Sequence, residues 1–278
     1  MIEIQNLTKH YGPVHAVDDI SFSVAAGEIV GLLGHNGAGK TTTLRMLTGR
    51  TRPTSGSARI VGFDVVTELD QVKPLINLVF EEQNLYERLT GYDNLRVFAD
   101  LYGAPRDRVD RLLDRIDLTD AAKRKVKTYS SGMKQRLLIA RAMINDPKVL
   151  LLDEPTKGLD PTSAREIRAI ARELADSGVS ILICTHFMEE ADELCDRVAF
   201  LSNGKIVALD SPRELKLRFG TQTATVLLTD RSSHLIDLTA PTDADRLSEW
   251  MADNRVLTIH SHEGTLEDVF ISLAGRPL

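Results

Sequence analysis

The run Ile29-Val30-Gly31-Leu32-Leu33-Gly34-His35-Asn36-Gly37-Ala38-Gly39-Lys40-Thr41-Thr42 decides the reading of this chain. It opens as an apolar strand and breaks into a glycine-rich loop. It then enters a helical pattern over residues 39–48, with Leu44, Met46 and Leu47 inward. The loop fits Gly, four residues, Gly-Lys-Ser/Thr, in the strand-to-helix setting that a phosphate-binding loop needs. The glycines let the backbone curl so that successive N–H groups converge on one anion. The helix N-terminus adds partial positive charge. Lys40 supplies a full charge to β- and γ-phosphates, and the Thr41 hydroxyl can ligate Mg²⁺. A chance glycine-rich turn would lack the flanking strand and helix.

A second strand pattern, residues 149–152, ends in Asp153-Glu154 and then Pro155. The end of a buried parallel strand opens into the crevice where ligands bind. There Asp153 is the candidate Mg²⁺ anchor and Glu154 the candidate general base that polarises an attacking water. Phosphoryl transfer asks the protein mainly for positioning and charge neutralisation, so one metal anchor and one water anchor suffice.

Working outward, the chain has 278 residues, 42% hydrophobic and 27% charged, which is globular composition and excludes a disordered, fibrous or disulfide-scaffold class. The length predicts one main domain with a small appendage. No apolar run approaches the roughly 20 residues that span a bilayer as a helix. The start, Met1-Ile2-Glu3-Ile4, predicts no secretory signal. The two cysteines, Cys184 and Cys195, read as free thiols. A net charge of −6 argues against nucleic-acid binding by the surface at large.

Residues 1–33 alternate as strands. Residues 84–145 carry helical patterns over 92–102, 106–116 and 133–143, separated by Gly103-Ala104-Pro105. Strand patterns return at 149–152, 181–184 and 197–201, with a helix over 164–177 between them, which predicts a largely parallel buried sheet. The texture changes near Gly220. Residues 221–278 hold strand-like pieces at 224–228 and 256–259 and a final helix near 266–273.

Over residues 1–220 the chain resembles the nucleotide-binding subunit of an ABC transporter. Tyr129-Ser130-Ser131-Gly132-Met133-Lys134-Gln135-Arg136 is similar to the family signature Leu-Ser-Gly-Gly-Gln, matching at Ser130 and Gly132 and departing at Tyr129, Ser131 and Met133. The resemblance implies an α/β fold. Its parts are a P-loop NTPase core with a parallel-rich central sheet, an N-terminal antiparallel β part, a helical subdomain at about 84–145, and a small α+β extension over 221–278. It also implies an ATPase that takes ATP and Mg²⁺ and pairs as a homodimer or with a similar cassette. Each signature, here Ser130, Ser131 and Gly132, would meet nucleotide held by the other cassette, and Asp160 would cross the interface. His186 resembles the switch histidine at the γ-phosphate, and Tyr11 the aromatic residue that stacks on adenine.

The family places a glutamine, ligand to water and Mg²⁺, after the strand leading into the helical insert. Gln83 is the candidate; an ungapped count back from Leu85 and Leu89-Thr90 places Glu81 there instead. The tail, through Thr265-Leu266-Glu267-Asp268-Val269-Phe270, resembles that of exporter cassettes for drugs, antibiotics or sodium. The implied role is to power an integral membrane permease from the cytoplasmic face of the membrane, with no nucleic-acid partner. The competing reading is a soluble ABC ATPase acting on ribosomes or nucleic acid, for which the run Lys123-Arg124-Lys125-Val126-Lys127 is the one pointer.

Overall fold

The computed structural model describes residues 1–220, 222–262 and 264–274; Thr221, Glu263 and residues 275–278 of the expected appendage lie outside the described residues. The chain forms two compact units, Met1–Leu209 and Asp210–Leu278. The first unit opens with β1 (Ile2–Tyr11), β2 (Val14–Val24), β3 (Ile29–Leu33), α1 (Lys40–Leu47), β4 (Ser55–Ile60), β5 (Phe63–Asp64), α2 (Leu69–Val72) and β6 (Ile76–Val79). It continues with α3 (Gly91–Tyr102), α4 (Arg108–Arg115), α5 (Ser131–Ala142), β7 (Val149–Asp153), α6 (Pro161–Asp176), β8 (Ser180–Thr185), α7 (Met188–Leu194), β9 (Arg197–Ser202) and β10 (Lys205–Asp210).

The N-terminal strands form an antiparallel sheet in the order β2-β1-β4-β5. Ile2 and Ile4 on β1 and Ile20, Phe22 and Val24 on β2 are buried while their neighbours are exposed, the alternation of a sheet with one wet face. The six-stranded sheet runs β10-β9-β3-β8-β7-β6, with β9, β3, β8, β7 and β6 mutually parallel. All five residues of β3, all five of β7 and all six of β8 are buried, as strands covered on both faces must be. Leu32, Leu151 and Leu182 are fully buried in one cluster that joins the two sheets through Ile2, Leu7 and Ile60.

Parallel register fixes the site. Leu33 pairs with Thr185, and Asp153 with Cys184, so the C-terminal ends of β3, β7 and β8 lie side by side. The segment between β6 and β7 is helical. Thr90 caps α3 by accepting from the Asp93 N–H, and Gly103 ends it at φ 63°. Ser130 caps α5 from the Met133 N–H. Asp160 caps α6, with Pro161 at its first turn, where a missing N–H costs nothing. Cys184 and Cys195 are buried and unbridged.

The second unit holds α8 (Pro212–Phe219), β11 (Thr223–Leu228), β12 (Ser233–Asp237), α9 (Pro241–Ala252), β13 (Val256–His262) and α10 (Leu266–Ala274). Its strands pair antiparallel in the order β12-β11-β13, and Ala224, Val226, Leu228, Ile236 and Trp250 form its core. Helix α8 packs with α10, so the division falls ahead of Gly220. Among the described residues no helix is long and apolar enough to cross a membrane.

Candidate functional site

The loop between β3 and α1 is shaped by glycines that nothing larger replaces at two positions. A Cβ on Gly34 would stand 2.2 Å from the Leu201 carbonyl oxygen. Gly39 sits at φ 117°, and a Cβ there would stand 2.4 Å from the Ala16 carbonyl oxygen. Lys40 is buried behind the loop. Its Nζ donates to the Gly34 carbonyl, lies 3.5 Å from the His35 carbonyl, and stands 3.8 Å from Glu154 Oε1.

A cavity of about 130 Å³ opens at these strand ends. The loop lines it through His35, Asn36, Gly37, Gly39, Lys40, Thr41 and Thr42, and Ala16, Glu81, Asp153 and Glu154 face it from other elements. Gly34 and Ala38 frame the loop from behind; Ala38 is fully buried.

Asp153 ends β7 only 7% exposed. Burial first, and then the charges of Glu154 and Glu81, push its carboxyl up to about 6, with Lys40 opposing. Glu154 adopts φ 51°, a left-handed backbone that a glutamate takes only when the surroundings impose it. Its N–H donates to the Cys184 carbonyl at 2.8 Å, which holds the turn against β8. Its carboxylate accepts from the Thr185 hydroxyl at 3.2 Å and from the His186 N–H at 3.4 Å. His186 Nδ1 lies 2.9 Å from Glu154 Oε1, and because a carboxylate only accepts, the ring donates that proton. Lys40, Glu154, Thr185 and His186 thus form one continuous polar network from three adjacent parallel strands.

The remaining expected site residues fall elsewhere. Ser130, Ser131 and Gly132 do not line the cavity. Gly132 meets the start of α6, where a Cβ on it would stand 2.4 Å from Ser163 Oγ. Asp160 accepts from the N–H groups of Thr162 and Ser163 and from the Ser163 hydroxyl at 2.7 Å, contacts that hold its carboxyl below the usual value. The signature segment and the Asp160 turn therefore adjoin one another. Tyr11, 46% exposed at the end of β1, also lies off the cavity, with Lys9 Nζ 4.9 Å from its ring centroid.

The two candidates after β6 are placed differently. Gln83 is exposed and does not line the cavity, whereas Glu81 does. Glu81 Oε1 pairs with Lys157 Nζ at 2.5 Å, a partner 76 residues away that no local pattern reveals. Thr185 and Ala16 are further residues of the site's surroundings that no motif marks. Parallel pairing of β7 with β8, invisible to local periodicity, is what brings the Thr185 hydroxyl to Glu154.

A parallel α/β sheet, a phosphate loop at its strand ends and an acid–histidine network define a nucleotide-hydrolysing cassette, an ATPase. Residues 17–157 match the ABC transporter family, and the chain belongs to it. The chain is similar to a fluoroquinolones export ATP-binding protein of Mycobacterium tuberculosis, 44% identical over 287 aligned positions that cover 100% of this chain and 94% of the relative. It is 36% identical to a daunorubicin/doxorubicin resistance ATP-binding protein of Streptomyces peucetius, covering 99% of this chain and 93% of that one. A solved ATP-binding subunit of an ABC transporter superposes with a TM-score of 0.71 at 30% identity, covering 79% of this chain and 93% of that one.

Proposed function

We propose that this chain is the ATP-hydrolysing subunit that powers a separate membrane permease exporting drug-like, antibiotic, lipid or ion cargo. The observation that carries the hydrolytic part is Glu154, held in a left-handed backbone between Lys40 and His186. In this reading the loop amides of residues 34–42 and Lys40 grip the β- and γ-phosphates. Glu154 takes the proton of the attacking water, and His186 orients the γ-phosphate. Tyr11 stacks on the adenine.

Thr41 and Asp153 would hold Mg²⁺. Hard oxygen donors and an acidic excess of Asp153, Glu154 and Glu81 over Lys40 suit a hard dication. When bound, the ion neutralises charge developing on the phosphates. At the loop after β6 we assign the polar ligand role to Glu81 in place of Gln83, because Glu81 faces the cavity.

The partner reading is a homodimer, or a pair with a similar cassette, in which Ser130, Ser131, Gly132 and Asp160 complete the other chain's site. It accords with their standing off the cavity of their own chain. The permease would dock at the groove of about 530 Å³ whose lining includes Asn84, Phe98, Tyr102, Arg141 and Phe80, the residue next to Glu81. That arrangement sets the chain on the cytoplasmic face of the membrane. The ribosome or nucleic-acid reading is less well supported: the relatives are export and resistance ATP-binding proteins, while Lys123, Arg124, Lys125 and Lys127 stand exposed as a solvated face would.

Phosphate release from ATP with Mg²⁺ tests the core of this reading. Glu154→Gln is expected to keep nucleotide binding and to lose turnover by roughly 10²–10⁴-fold, the usual contribution of a general base. Lys40→Ala is expected to weaken binding itself. Turnover in Glu154→Gln equal to the parent would refute the assignment. Recovery of an integral membrane protein with the full chain tests the permease role.

A further inference from the structure

The hairpin of β1 and β2 carries three metal-ligating side chains that the nucleotide site does not use. His10 and His15 are direct cross-strand partners, with ring centroids 3.8 Å apart and planes at 24°. Ligand atoms of His10, His15 and Asp18 all lie within 4.8 Å of one another. In a regular strand, residues 15 and 18 would point to opposite faces, because side chains alternate with period two. Here Lys9 pairs with Val17 and His10 with His15, so Ala16 is an extra residue in β2. That bulge reverses the alternation and puts Asp18 on the face of His15 and His10.

The chemistry of the three groups selects a ligand class. His10 Nε2 is buried and has no hydrogen-bond partner, so a strong donor or acceptor site is left unsatisfied inside the hairpin. The His10 N–H is fixed to Thr54 Oγ1 at 3.0 Å, and the Asp18 N–H to the Gly204 carbonyl at 2.8 Å, which anchors both residues from neighbouring segments. Two imidazoles and one carboxylate, with a fourth position left to water, make the donor set of a borderline dication such as Zn²⁺ and not of Mg²⁺ or Ca²⁺. Bonds of roughly 2.0–2.2 Å in a tetrahedron put ligand atoms about 3.4 Å apart, so to take the ion the three groups draw in by about an ångström and the exposed His15 ring turns out of its stack on His10 to aim a nitrogen at the same point. Lys205 Nζ, on an exposed side chain 3.2 Å from Asp18 Oδ2, occupies one carboxylate oxygen and would yield on binding.

We propose that His10, His15 and Asp18 form a site for a single borderline divalent cation, Zn²⁺ being the test ion, which clamps the hairpin bearing Tyr11 and Ala16. The carbonyl of the bulged residue Ala16 stands 2.4 Å from where a Cβ on Gly39 of the phosphate loop would be, and Ala16 lines the same cavity, so the clamp fixes the strand that borders the loop.

The experiment uses the untagged full chain without nucleotide or Mg²⁺. Calorimetric titration with Zn²⁺ and the visible absorption of added Co²⁺ read occupancy, and amide exchange over residues 9–18 reads the clamp. One equivalent of Zn²⁺ is expected, with slowed exchange in the hairpin. The exposed His15→Ala variant, which removes no core packing, is expected to lose affinity by at least about tenfold, as is Asp18→Asn. Absence of a one-equivalent binding step, or a step unchanged in both variants, overturns the site. Binding that depends on His15 but leaves hairpin exchange unaltered overturns the clamp.

Discussion

Asp153 is an acid placed where an acid is costly. It lies buried at the end of β7 beside two further carboxylates, and its carboxyl is raised from 3.8 to about 6. The unfolded chain therefore releases the proton first as pH rises. Between about 3.8 and 6 the native state holds more protons than the unfolded state, so this residue's contribution to stability falls as pH rises through that window. Above it, the native chain carries a penalty of about 3 kcal/mol at 1.36 kcal/mol per unit. Asp153→Asn in metal-free protein is expected to recover most of that amount at pH 7 and none of it below pH 3.8, while losing Mg²⁺-dependent hydrolysis. Urea midpoints at the two pH values check it; an equal gain at both would show that packing, and not charge, separates the variants. Stability has been surrendered at this residue for a position suited to a dication.

At the scale of elements, the phosphate loop is held by backbone contacts, and glycines divide by what surrounds them. Gly34 faces the Leu201 carbonyl of β9, and a methyl at 2.2 Å has no flexible neighbour to displace. Gly37 sits at φ 83° with nothing within 4 Å. Gly34→Ala is expected to cost about 3 kcal/mol or more, through overpacking against backbone. Gly37→Ala is expected to cost only about 1–2 kcal/mol, from the left-handed conformation alone. Denaturant unfolding of the two variants measures the difference, and equal losses would contradict the packing account.

The same elements mark what local sequence conveys. The runs of β3, β7 and β8 were legible because strands buried on both faces are apolar without interruption. The helices α3, α5 and α6 were legible as helical patterns, although α6 begins at Pro161, ahead of the pattern over 164–177. Strands β10 and β12 were not, since neither is a solid apolar run: β10 mixes exposed and half-buried residues, and β12 buries only Ile236. Helix α9 buries only Trp250 and shows no stripe to read. Within the site, the loop and the Asp153-Glu154 pair follow from contiguous residues. Thr185 and the Glu81–Lys157 pair come from sheet order and a contact over 76 residues, which periodicity does not carry.

At the scale of the molecule, the cavity gathers Lys40, Thr41, Asp153 and Glu154 and nothing from the signature segment. If each site is completed by another chain, the two halves can be broken separately. Lys40→Ala breaks the loop half. Ser130→Asp breaks the signature half by setting a negative charge against the partner's phosphate, and it keeps the α5 cap because aspartate caps as well as serine. Each variant alone is expected to be inactive. In a mixed pair, one site inherits both defects and the other inherits neither. Equal mixing makes half of the pairs mixed, each with one of two sites intact, so hydrolysis should return to about one quarter of the parent rate. A mixture as inactive as its components would mean that Ser130 acts within its own chain, and the two-chain site would have to be abandoned while the phosphate loop assignment stood.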